Sequence, residues 1–88
     1  MHKKYTTHLD SQHGWMAVPL ADLKTLGIES QISSSSRQKG GTVYLDGDED
    51  LCTFMDAAER AGWEVQQETS DHAYWWSGRS YPRYKPAP

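Results

Sequence analysis

An α+β fold is what this 88-residue chain predicts, and three observations predict it. The segment DEDLCTFMDAAERAGW (48–63) sets Leu51, Phe54, Met55 and Ala58 at helical spacing. The stretches TVYL (42–45) and WEVQQET (63–69) have the β-branched, aromatic or alternating character of strands. Finally, WMAVPLADLKTLGI (15–28) holds a strand, a helix-opening Pro and a helix-closing Gly in close succession.

The elements follow in chain order. Trp15 to Val18 reads as a strand, and Pro19 holds Val18 extended while pre-setting φ for a helix. Leu20, Ala21 and Leu23 form the apolar stripe of that short helix. Gly27 can take the left-handed conformation after its last turn, with Ile28 folding back on Leu23. Residues 30–46 read as a hairpin with a polar edge strand at 30–37, a turn at 38–41 and a strand at 42–46, because Gly40 and Gly41 accept positive φ. The run Ser33–Ser36 leaves an irregular loop over 30–40 as the alternative, since Ser lacks β-propensity. Asp48 is placed as N-cap of the second helix, with Glu49 and Asp50 in its first turn favoured by the helix dipole. Gly62 ends it and Trp63 starts the last strand.

The order is β-α-β-β-α-β, the pattern of a split βαβ, ferredoxin-like domain: a small four-stranded sheet with two helices on one face. Residues 5–9, YTTHL, can add a strand paired with 15–18 through the DSQHG turn. The domain spans 1–71, and 72–88 is an irregular C-terminal arm. The expected core is Trp15, Val18, Leu20, Leu23, Ile28, Val43, Leu45, Leu51, Phe54, Met55, Ala58, Trp63 and Val65.

Composition narrows the function. There is no apolar run of membrane-spanning length and no signal-like leader. The lone Cys52 has no disulfide partner, which favours a reducing compartment, and reads as a structural or half-buried thiol. Net charge is −3, but residues 10–71 carry twelve acids against four bases, a net of −8, while both ends are basic. Such a body repels a phosphate backbone.

No catalytic motif is present, so the reading is non-enzymatic. Asp46, Asp48 and Asp50 alternate as in an EF-hand, but the sixth and twelfth loop positions hold Leu51 and Ala57, where Gly and Glu are required. His2, His8, His13 and His72 lack metal-ligand spacing. The expectation is no metal and no cofactor.

Residues 13–69, from HGWMAVPLADLKTLGIESQISSSSRQKGGTVYLDGDED onward, resemble small accessory proteins of tailed bacteriophages. The shared pattern is a Gly-Trp strand, VP opening a helix that closes on LGI, an ISS strand, then GGTVYL and an acidic helix start. The resemblance implies a protein made in the cytoplasm of an infected bacterial host. Over residues 15–46 the chain is also similar to AbrB-type swapped-hairpin DNA-binding domains, through Val18, Pro19, Leu26, Gly27, Ile28, Val43, Tyr44 and Leu45. It departs from them in basicity: residues 10–36 hold only Lys24.

The tail HAYWWSGRSYPRYKP (72–86) is the candidate binding element. Tyr, Trp and Arg are the residues enriched at binding hot spots. Tyr74, Trp75, Trp76, Arg79, Tyr81, Arg83 and Tyr84 are the candidate partner-contacting residues. Trp75 and Trp76 serve as anchors, and residues 77–88 are expected to be irregular and exposed because Ser77, Gly78, Pro82 and Pro86 discourage regular structure. The competing reading packs Tyr74, Trp75 or Trp76 onto the domain's own sheet. The expected function is binding and modulation of a bacterial host protein, for host takeover or against a defence system such as CRISPR or restriction. A homodimer is a further candidate partner, and no membrane is involved. The alternative is a small nucleic-acid-binding regulator of AbrB-like type.

Overall fold

In the computed structural model, residues 1–85 are described and fold as one five-stranded mixed sheet with two helices. The strands are β1 (His2–Leu9), β2 (Gly14–Pro19), β3 (Arg37–Lys39), β4 (Thr42–Asp46) and β5 (Glu64–Asp71). The helices are α1 (Leu20–Thr25) and α2 (Glu49–Arg60), and a 3-10 turn covers Ser77–Ser80. Among the described residues no helix is long and apolar enough to cross a membrane.

The sheet order is β3-β4-β2-β1-β5. This corrects the four-stranded, ferredoxin-like expectation. The N-terminal strand is no optional addition: it sits between β2 and β5, antiparallel to the first and parallel to the second. The DSQHG turn joins β1 to β2, with Thr6 opposite Ala17 and His8 opposite Trp15. β2 and β4 are antiparallel neighbours, with Val18 opposite Val43.

Local chemistry explains the helix ends. Gly27 adopts φ 70°, its N–H donates to the Lys24 carbonyl, and the Ile28 N–H donates to the Leu23 carbonyl. That is a Schellman closure. The same pair of bonds ends α2 at Gly62 and Trp63. The start of α2 departs from expectation. Asp48 makes no side-chain capping bond, and its N–H donates to Asp46 Oδ1 at 3.0 Å.

The Ser run is mostly turn, and β3 shrinks to three residues. The serines wrap a carboxylate instead. Buried Asp50 accepts from the Ser33 N–H at 2.9 Å, the Ser33 hydroxyl at 2.8 Å and the Ser36 hydroxyl at 2.6 Å. Ser36 Oγ in turn accepts the Asp46 N–H at 2.9 Å. A buried carboxylate is stable only when its lone pairs are filled, and here three donors fill them.

Both helices cover one face of the sheet. Tyr5 ties them there: its hydroxyl donates to Asp22 of α1 at 2.8 Å, and its ring meets Phe54 of α2 edge-on at 5.4 Å. Burial, with the Asp22 carboxylate adding to it, pushes the Tyr5 hydroxyl far above its usual range. Met16, Val18, Leu23, Ile28, Ile32, Val43, Leu45, Phe54 and Ala58 belong to this core. Leu20, Leu51, Met55, Trp63 and Val65 are only partly buried against it. Cys52, expected to be structural or half-buried, is exposed.

Candidate functional site: the arm face

Alternation along a strand sends neighbouring side chains to opposite faces. Trp15, Tyr44 and His8 therefore point away from the helices, and the C-terminal segment covers them. The Trp76 ring stacks on His8 at 5.0 Å with planes 11° apart, and sits 4.9 Å from Trp15 and 5.0 Å from Tyr44. Tyr81 packs on Tyr44 at 5.3 Å. The chain turns back onto the sheet at Ala73, a non-glycine residue at φ 60°. The fold thus has three layers: helices, sheet and arm.

Residues 77–85 are largely irregular and exposed as expected (Ser77, Ser80, Pro82, Arg83 and Lys85 face solvent), but they do not stand clear of the domain, because buried Gly78 and Tyr84 and half-buried Arg79 and Tyr81 dock the segment. Trp76 is 3% exposed and Tyr84 2% exposed. Tyr84 lies in the helix-side core, and its hydroxyl donates to the Glu29 carbonyl. The segment therefore straps the β3 edge, held there by Gln38 N–H to the Pro82 carbonyl (2.9 Å) and Tyr84 N–H to the Ser36 carbonyl (2.8 Å). Residues 86–88 lie outside the described residues. Gly78 is needed for packing: a Cβ there would fall 2.1 Å from the Trp76 ring.

Arg79 is fixed by Asp10 of the β1–β2 turn. Its Nε and Nη2 donate to the two carboxylate oxygens at 2.5 and 2.7 Å. The Asp10 carboxylate is shielded from solvent. Arg79 above all, with the Gln12, Trp76 and His13 amides, holds it well below the usual carboxylate range. The guanidinium lies 5.0 Å from the Trp15 ring and 4.7 Å from the Trp75 ring. Trp75 is 63% exposed and Tyr74 85% exposed. The seven predicted residues thus divide. Tyr74 and Trp75 face solvent, Arg79 and Tyr81 are half-buried supports, Arg83 is exposed at the β3 edge, and Trp76 and Tyr84 are interior.

Two histidine clusters escaped the sequence reading, because each joins residues far apart in the chain. His8 Nδ1 and His72 Nε2 are 2.8 Å apart beneath Trp76. Burial, then the neighbouring His72, lowers the His8 pKa. His13 Nε2 pairs with Asp46 Oδ2 at 2.8 Å, and with Asp48 the trio offers three ligand atoms within 4.8 Å of one another. One imidazole and two carboxylates could in principle ligate a divalent transition ion. Here Asp46 is engaged by His13 and by the Asp48 N–H.

The chain matches no family model, no curated protein and no solved structure.

Proposed function

We propose that this is a non-enzymatic phage accessory protein that binds a bacterial host protein through its arm face, to take over the host or blunt a defence system. It acts in the cytoplasm of the infected cell. The observation that carries the reading is the exposed Trp75 held against an Arg79 guanidinium that Asp10 locks in place. An exposed aromatic fixed before binding loses little side-chain entropy on docking, and arginine beside it supplies directed donors. Trp76 and the rings under it form a rigid platform for that tip.

Affinity capture from bacterial lysate tests this with the Tyr74→Ala, Trp75→Ala double variant. Both side chains are exposed, so the variant folds. Capture of the partner should fall at least about tenfold, the loss expected when hot-spot aromatics are truncated. Undiminished capture by a folded double variant would move the binding surface elsewhere.

A further inference from the structure

Like charges directly opposite each other in a sheet are unfavourable, yet Arg37 and Arg83 face one another in an antiparallel bridge at the β3 edge. Both belong to the arm face. Arg37 lies opposite Tyr44, whose ring packs on Trp76 and Tyr81. Lys39, two residues on, sets its Nζ 4.8 Å over the Tyr81 ring. Among the described residues none of these three cations forms an ion pair. Arg37 Nε is moreover shielded from water with no hydrogen-bond acceptor. The acids on this face are already engaged: Asp10 by Arg79, Asp46 by His13, Glu64 by His2 and Glu68 by Lys4. A chain of net charge −3 thus gathers uncompensated positive charge at its β3 edge.

The geometry points to a docking notch for a carboxylate-rich segment of a partner protein, its oxyanions seated between Arg37 and Arg83. Guanidinium groups hold carboxylates through paired, directed donors, and Arg83, whose one bond here is a long 3.4 Å contact from Nη1 to the Ser34 carbonyl, keeps donors free for them. Nucleic acid fits less well. The Tyr81 ring beside the cations is already engaged by Tyr44, Trp76 and the Lys39 ammonium, and the acidic body repels an extended phosphate backbone.

This inference rests on the arm face being a partner surface, and its test needs no natural partner. Hexaglutamate is titrated into the full chain at low ionic strength and followed by amide chemical shifts, with oligothymidylate of matched charge in parallel. Hexaglutamate should perturb residues 37–39 and 81–84. Its affinity should drop at least about fivefold in Arg83→Gln and in Lys39→Gln, and hold in Lys24→Gln, a cation on α1. Because Arg37→Gln touches a shielded group, the two exposed-residue variants decide the matter even if it unfolds. Absent binding, perturbation elsewhere, or indifference to both variants would overturn the notch. Tighter oligothymidylate binding would overturn the protein assignment in favour of nucleic acid. Self-association of the free chain lost in Arg83→Gln would reassign the notch to a second copy. Trp75→Ala separates the two readings: it should spare hexaglutamate while weakening capture of the host protein. Hexaglutamate binding without capture refutes only the host-protein reading, and capture without hexaglutamate binding refutes only the notch.

Discussion

Trp75 and Trp76 are chemically identical neighbours with opposite structural roles, and that contrast gives the sharpest prediction. Trp76 is 3% exposed and Trp75 63%. A buried tryptophan removes ~150–250 Å² from water, which at about 25 cal/mol per Å² corresponds to about 4–6 kcal/mol. The Cβ retained in alanine and the partial burial already present in the unfolded chain reduce this. The lost ring contacts with His8, Trp15, Tyr44 and Tyr81 offset part of that reduction. Trp76→Ala is expected to cost about 3–5 kcal/mol, the range of large-to-small core changes. A domain of this size has only about 4–13 kcal/mol in total. At about 4–8 °C per kcal/mol the melting temperature falls by at least ~12 °C. Trp75→Ala should cost under about 1 kcal/mol. Urea denaturation followed by far-UV circular dichroism measures both without relying on the altered fluorophores. Equal midpoints for the two variants, or a larger loss in Trp75→Ala, would show that the arm does not dock through Trp76.

The remaining predictions concern charge. Folded His8 has a lowered pKa while the unfolded side chain titrates near its ordinary value, so acidification charges the unfolded state first. Stability should be full above about pH 6.5 and fall as pH drops below it, and a thermal series from pH 7.5 to 5 with His8→Gln should flatten that slope. Asp50→Ala strands the Ser33 amide and the Ser33 and Ser36 hydroxyls and should cost about 2–4 kcal/mol by denaturant titration, whereas a solvated helix-start acid would cost a few tenths. Calorimetry with calcium should show no site tighter than about millimolar at Asp46–Asp50, since an EF-hand sensor requires a fuller oxygen cage and Asp50 is spent on serines; a micromolar isotherm would contradict this.

What the sequence made legible is what local chemistry dictates. The apolar repeat of α2, the Gly27 and Gly62 closures and the β3–β4 turn each depend on residues a few positions apart, so periodicity and glycine placement reveal them. β1 is hard to read locally because its partner β5 lies some sixty residues away, with His2 opposite Glu64, and YTTHL advertises no buried face of its own. The serine run misled because propensity sees a poor strand or a loop. What fixes it is one carboxylate fourteen residues beyond Ser36. Likewise, alternation says that one of Trp75 and Trp76 can turn inward, but which one depends on where His8 and Trp15 stand, and that is settled only when β1 and β2 pair.

In the arm, breaker residues mark a docked strap rather than a free tail. Pro82 and Gly78 do keep residues 77–85 out of a regular strand, yet strapping a sheet does not require a ladder. Pro82 lacks an N–H but offers its carbonyl to Gln38, and Gly78 is small because the Trp76 ring occupies the space a side chain would need. Side-chain burial does the docking and a few main-chain bonds set its register. The sequence signal that could have found this is the spacing of Trp76, Gly78 and Arg79: a ring, the gap that receives it, and a cation that reaches back to Asp10. Docking also explains how the arm face stays ordered on so small a protein. The buried part of the arm, Trp76 and Tyr84, provides the stability, so exposed Tyr74 and Trp75 need provide none, and in the proposed reading they are the residues left to meet a partner.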